Sequence, residues 1–488
     1  MAGRRAGGAL MHERFGLFVD GAWRAARDGA TREIASPVTE KTVGRVPVAS
    51  VADTEDAIAS ARRGLAAMRA LSAWERADAL HGIADEMMRR ADEAATMIST
   101  ETGKPLVQSG REWSLAIDQF RWYAEEARRI FGRVVESRAP GGRFEVLKEP
   151  VGVCAAFTAW NFPAVLPARK IAPALAAGCS VVLRPATQTP GSAMILVDCI
   201  RAGNLPGGAV NLVCGPTAAT YAPLMAEKAV RKVSLTGSTR VGQQMIRDAA
   251  ATVKKTSMEL GGNAPLIVHD DVDLDAVLDL AVPTKFANAG QVCVSPDRFF
   301  VHERIHDAFV DGFARRAASL KLGDGLDPAT GMGPLISAKA REEAEAVVEE
   351  AVAAGARLVT GGRRPAGFNA GHFMAPTVLA DVTDDMRVFA EETFAPVAAV
   401  TRFCDEDEVI GRANACDMGL AAYCFTRDPG RARRAVERIA AGMVGINSFA
   451  LAAAEAPFGG TNFSGMGREG GPEGIADYLD TKLAQVAW

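Results

Sequence analysis

The sequence predicts an α/β fold built on two doubly wound, mainly parallel sheets, with a β-hairpin set apart from them. Three observations predict it. From residue 150 onward short apolar runs alternate with stretches of helical spacing, and the second half of the chain repeats that alternation. The 488 residues also exceed what one hydrophobic core organises, so two or three domains are expected.

Near the N-terminus, residues 53–70 and 75–100 carry helical spacing through Ala57, Ala61, Leu65 and Met68, then Leu80, Ile83, Ala84 and Met87. Asp53 is the better cap candidate, with Ser72 or Ala73 near the start of the second run. A third helical run, 105–131, carries Trp113, Phe120, Trp122, Tyr123 and Phe131, a stripe that core packing explains better than a cofactor box. Residues 133–148 read as two short strands around Pro140-Gly141-Gly142, a hairpin signal. Strands are then expected over 151–157, 180–183, 210–213, 233–236 and 256–260, with a helix between the second and third bounded by Pro190 and Gly203-Asn204. Ligands on such sheets bind beyond the carboxyl ends of the strands, and Asn161, Thr236, Gly237 and Glu259 all lie just after such ends. In the second half, 266–268, 298–302 and 397–403 read as strands and 303–319 and 337–354 as helices. The loop 361–376, rich in Gly and Pro, is expected to be exposed.

Composition excludes several function classes. Hydrophobic residues at 48% and charged residues at 23% are ordinary for a globular protein. A net charge of −4 leaves no polybasic footprint for nucleic acid or an anionic membrane, and no apolar run is long enough for a membrane span. Eight cysteines without CxxC spacing argue against a zinc site and a disulfide framework, so no metal is expected and a reducing, cytoplasmic compartment is. Most of them read as core filler. The first twelve residues hold Arg4 and Arg5, no acid and no secretory apolar stretch; they read as a disordered tail, with a short transit segment or a start at Met11 left open.

The chemistry centres on FANAGQVC, 286–293. Gly290 lets the backbone bend and approach a small ligand, and Cys293 follows it as a candidate nucleophile, reactive as the thiolate. Glu259 in MELGG is a candidate base, a carboxylate expected on a turn before Gly261-Gly262 rather than within a strand ladder. Taken singly, such a cysteine is more often a small buried hydrophobe and such a glutamate a surface charge. A third stretch, FTAWNFP at 157–163, offers Asn161, whose amide is a donor for an oxyanion.

With these stretches in order, the chain from about Phe18 resembles the aldehyde dehydrogenase superfamily: WNFP, TGSTRVG (236–242), ELGG (259–262), GQVC (290–293), EETFAP (391–396) and PFGG (457–460) stand in register. The C-terminal half is similar to the succinate-semialdehyde dehydrogenase branch in AEETFAPV, GLAAY and APFGGTNFSGMGREGG. The resemblance implies a dinucleotide-binding domain over 1–131 and 149–260, and a catalytic domain over 261–460. It also implies an oligomerisation element over 132–148 and 461–488, in which the hairpin and the C-terminal strand extend a sheet across a subunit boundary of a homodimer or homotetramer.

The implied reaction is oxidation of an aldehyde by NAD or NADP. Cys293 attacks the carbonyl, Asn161 and the Cys293 N–H hold the oxyanion, hydride leaves to the nicotinamide, and water activated by Glu259 hydrolyses the thioester. The presence of Glu259 favours hydrolysis over transfer to coenzyme A. Lys170 and Glu469 match a proton path. Thr158, Trp160, Thr236, Gly237, Ser238, Gly242 and Leu260 match the cofactor cradle, with a helix N-terminus at the pyrophosphate. Glu392 matches the residue on the nicotinamide ribose, with Phe394 beside it.

Two departures bear on cofactor choice: Arg184 replaces a usual lysine, and Thr187 stands where NAD-preferring members carry a glutamate that repels a 2′-phosphate. NADP is therefore expected to be accepted. At the substrate end Arg169 matches the first carboxylate-binding arginine of that branch, Ala287 occupies the second, and Ala452-Ala453-Ala454 lie where a serine is expected; Phe458 completes the set. The expected substrate is an apolar or longer semialdehyde. The alternatives are succinate-semialdehyde oxidation proper, or a binding or structural relative that keeps the fold without catalysis.

Overall fold

The structure, a computed structural model, describes residues 12–487, so the tail expectation for the first residues lies largely outside them. The first sheet runs, edge to edge, through Ala22–Arg24, Leu17–Val19, Val210–Leu212, Ser180–Arg184, Val153–Phe157, Val230–Thr236, Lys255–Glu259 and Gly465–Met466. Its central strands from Val210–Leu212 to Lys255–Glu259 are parallel, and only the flanking strands are antiparallel. Strand order reverses between Val153–Phe157 and Val230–Thr236. That reversal makes the switch point where a crevice opens at the carboxyl ends.

The second sheet runs through Arg357–Thr360, Thr377–Ala380, Val397–Phe403, Pro296–His302, Ala264–Val268, Ala421–Phe425 and Met443–Ile446, parallel except at the first pair. Its central strands are buried along their length, as sheets covered on both faces require. The hairpin forms as Arg133–Glu136 and Gly142–Pro150, and Leu479–Ala487 joins it antiparallel within the same chain. Val134 and Leu483 on this small sheet are 68% and 64% exposed, so it leaves apolar surface uncovered.

Several helix expectations need correction. The first helix starts at Val51 with Ser50 as its cap; Asp53 is the third residue and closes a capping box back onto Ser50. Ser72 caps the second helix in the same way. The run 75–100 is two helices, Ala73–Arg89 and Ala91–Thr102, because Arg90 leaves helical geometry at φ −103° and ψ 18°. The aromatic helix ends at Ala127, so Trp113, Phe120 and Tyr123 are buried whereas Phe131 lies beyond it, 71% exposed. The loop 361–376 is only partly exposed: Phe373 and Met374 are buried, and the His372 N–H donates to the Pro37 carbonyl at 3.0 Å. Of the cysteines, 154, 179, 199, 214 and 424 are buried and all eight are free.

Candidate active site

The candidate base is the last residue of Lys255–Glu259, paired in the ladder with Thr236 on one side and Gly465 on the other. The chain leaves the strand only at Leu260. The Glu259 carboxyl is therefore held by strand geometry, 5% exposed, with Oε1 lacking a hydrogen-bond partner among the described residues. Burial and then Glu469 push its pKa up to about 8, against the pull of Arg169, Lys170 and Arg468. Glu469 and Lys170 are a buried ion pair rather than surface charges.

Cys293 comes from the other sheet. Helix Leu274–Phe286 ends, Ala287 turns to extended geometry, and Asn288, Ala289 and Gly290 follow with φ of 48°, 54° and 73°. Left-handed backbone costs a non-glycine residue roughly 1–2 kcal/mol, so this run persists only because its surroundings hold it. Lys285 and Asp297, buried at 2.5 Å, clamp the base of the loop. The Asn288 amide donates to the carbonyls of Asn161 and Gln291, both at 3.2 Å, and Gln291 Nε2 donates back to the Asn288 carbonyl at 2.8 Å. Gly290 does allow a close approach, but to protein: a Cβ there would lie 2.1 Å from the Ala395 carbonyl oxygen. The Cys293 thiol, half-exposed as a residue, is pushed up to about 12 by desolvation and by Glu259 and Glu392, while Arg169 pulls it down.

The two glycines after Glu259 bring the sheets together. A Cβ on Gly262 would meet the Cys293 carbonyl at 2.5 Å, and one on Gly261 would meet Glu392 Oε2 at the same distance. Asn161 joins from the loop after Val153–Phe157: its Nδ2 donates to the Gln291 carbonyl at 3.1 Å, which leaves its second amide hydrogen free. The sulfur, the carboxylate and the amide thus converge at one seam.

The sequence reading missed what fixes Asn161. Lys104, 2% exposed, donates to Glu112 at 2.6 Å and to the Asn161 carbonyl at 2.7 Å, and lies over the Phe162 ring at 4.1 Å. The other Glu112 oxygen accepts the Ala164 N–H at 2.8 Å, at the start of helix Val165–Ala177, which carries Arg169 and Lys170. A lysine eight residues before a glutamate carries no local signal.

Beside the seam, the hydroxyls of Thr158 and Thr236 stand at the two strand ends flanking the switch point, buried and without hydrogen-bond partners among the described residues. Those orphaned donors fit a dinucleotide. The N–H groups of Gly237 and Gly242 donate to the carbonyls of Glu259 at 2.9 Å and Ser238 at 3.0 Å, so neither is open to a pyrophosphate. Ser238 begins helix Thr239–Ala250 without a side-chain cap, so the open N–H groups lie in the turn after it. Gly242 instead makes room for Leu260. Glu392 accepts the Gly262 N–H at 3.1 Å, and burial pushes it up to about 8. Trp160 and Phe394 meet edge to face at 5.7 Å. Thr187 is half-buried, and Arg184 donates to the Gly215 carbonyl at 3.2 Å.

Arg169 is 5% exposed and stacks on Phe458 at 4.0 Å, yet it has no hydrogen bond or ion-pair partner among the described residues. Ala287 is half-buried at the head of the left-handed run and offers no polar group.

A family model described as the aldehyde dehydrogenase family matches residues 23–484. The chain is 43% identical to the glutarate-semialdehyde dehydrogenase of Pseudomonas putida, over 96% of this chain and 97% of that one. It is also 43% identical to the NADP-dependent succinate-semialdehyde dehydrogenase of Escherichia coli, over 95% and 96%. It superposes on the crystal structure of a succinate-semialdehyde dehydrogenase from Burkholderia pseudomallei with a TM-score of 0.95 at 43% identity, covering 97% of this chain and 98% of the other.

Proposed function

We propose, from the premise that the chain belongs to the aldehyde dehydrogenase family and oxidises an aldehyde with NAD(P), that its substrate is an anionic semialdehyde longer than succinate semialdehyde. The observation that carries this is the buried, unpartnered guanidinium of Arg169 beside Glu259 and Cys293. A buried cation without a hydrogen-bonded counter-ion among the described residues is costly, and a substrate carboxylate would supply that partner. Ala287 and Ala452 to Ala454 withhold a second cation and a hydroxyl, so one charge contact and a longer chain replace a tight double grip. The relative that acts on glutarate semialdehyde agrees with this length.

In this reading Cys293 gives its thiol proton to solvent and adds to the carbonyl as the thiolate, and the oxyanion takes the Asn161 amide hydrogen not bonded to Gln291 and the Cys293 N–H. Thr158, Thr236 and Glu392 would hold the nicotinamide end of the dinucleotide, which would supply the hydride acceptor. Glu259 then takes a proton from the water that opens the thioester, and the Lys170–Glu469 pair leads that proton away. NADP is accepted because Thr187 presents no carboxylate to its 2′-phosphate. The domain roles expected for 1–131 with 149–260 and for 261–460 belong to the same reading. So does a cytoplasmic homodimer or homotetramer joined through the hairpin sheet: the eight cysteines are free, Val134 and Leu483 await cover, and no helix among the described residues is long and apolar enough to cross a membrane.

The test compares kcat/KM for glutarate semialdehyde, succinate semialdehyde and pentanal, in the native protein and in Arg169→Leu. Glutarate semialdehyde is expected to lead by about tenfold, and Arg169→Leu to erase its advantage over pentanal. A lead for succinate semialdehyde would restore the shorter substrate, and indifference to Arg169→Leu would remove the anion from the reading.

A further inference from the structure

We propose that Arg32 is a second cation for the 2′-phosphate of NADP, acting with Arg184 across the cavity lined by Thr187, and so a determinant of cofactor choice. The proposal rests on the reading that the adenosine end of the dinucleotide lies beyond the strand ends of the first sheet. Arg32 belongs to neither large sheet. It sits on Thr31–Ala35, a two-stranded ribbon with Thr42–Pro47, directly opposite Val46.

A cavity of about 250 Å³ joins that ribbon to the parallel sheet, with Arg32, Val46 and Val48 on one wall and Thr187, Gly215 and Pro216 on the other. Arg184 ends Ser180–Arg184 and donates to the carbonyl of Gly215, one of those lining residues. The charge on Arg184 is disfavoured by burial first and also by Arg32, so the two guanidinium groups sense each other. No acid among the described residues lines the cavity. Most arginines nearby are spoken for, Arg45 by Glu33 and Arg24 and Arg27 by Asp56, whereas Arg32 has neither ion pair nor hydrogen bond among the described residues.

Two like charges held near each other without an anion are mutually unfavourable, and a phosphate dianion between them removes the conflict through charge-assisted bonds. The adenosine 2′-hydroxyl of NAD offers no such relief. Arg32 thus discriminates between the cofactors and contributes little to the rest of the dinucleotide.

Isothermal titration calorimetry of the native protein, Arg32→Gln and Arg184→Gln with 2′,5′-ADP and 5′-AMP tests this without turnover. Arg32→Gln is expected to raise the Kd of 2′,5′-ADP about tenfold and to leave that of 5′-AMP within about twofold. An unchanged Kd for 2′,5′-ADP overturns the proposal, and so does an equal loss for both nucleotides, which would mark a packing role. If the native protein binds neither nucleotide, the dinucleotide reading of this cavity falls and takes the proposal with it.

Discussion

The two sheets share a doubly wound topology and use opposite ends of it. The first offers Thr158, Asn161 and Thr236 at the carboxyl ends of its strands and closes Lys255–Glu259 on the candidate base. The second offers Cys293, Glu392 and Phe394 from loops that precede Pro296–His302 and Val397–Phe403, at amino ends. The rule that locates ligands at strand carboxyl ends therefore finds the candidate cofactor crevice and says nothing about the candidate nucleophile. What replaces it on the second sheet is a strained left-handed run, clamped by Lys285–Asp297 and tied to the first sheet through Asn161. One half of the site is placed by topology, the other by side-chain restraint.

The largest expected effect removes the contribution of the second sheet. Cys293→Ser should lower kcat by about 10⁴-fold or more while leaving dinucleotide binding by calorimetry unchanged, because the thiol is not among the groups that would hold the dinucleotide. Loss of cofactor affinity in that variant would break the division. Glu259→Gln should slow steady-state turnover by about 10²–10⁴-fold yet spare the first burst of reduced nicotinamide, since the acylation half does not need it for hydrolysis.

The same carboxyl sets the pH dependence. A pKa raised to about 8 leaves Glu259 protonated at neutral pH, so kcat should rise with pH through that value and the limb should vanish in Glu259→Gln. A limb that survives there assigns the ionisation elsewhere. Asn161→Ala should cost about 10²–10³-fold in kcat with a smaller change in KM, if its free amide hydrogen meets the oxyanion. The smallest effect on chemistry and the largest on stability is expected of Lys104→Met: an unpaired buried Glu112 should cost about 3–5 kcal/mol in denaturant unfolding, and the slackened Asn161 loop should lower kcat more than it raises KM. A stable Lys104→Met with native kcat would show that the loop is positioned by Asn288 alone.

The legible parts were those with local signals. Alternating apolar runs and helical stretches marked the central strands of the first sheet, and Pro190 with Gly203-Asn204 bounded a helix region that ends at a left-handed Asn204. Asp53 was misjudged because a cap and its capping-box partner are both short polar residues, three positions apart, and only backbone geometry tells them apart. Gly290 was rightly seen as a close approach and wrongly assigned to a ligand, since the Ala395 backbone that fills the space comes from a distant segment. Lys104, Glu112, Lys285 and Asp297 were invisible as pairs. Charged residues read as surface until the fold buries them together.

By itself the sequence determined the family, the alternation that makes two parallel sheets, and the residue types available for aldehyde chemistry, because these live in order and spacing along the chain. Only the tertiary structure decided that Glu259 ends a strand, that Arg169 lies buried with no ion pair among the described residues, and that Arg32 shares a cavity with Gly215, the partner of Arg184. Burial and long-range electrostatics are properties of neighbours in space, and neighbours from separate strands leave no mark on one another's local sequence.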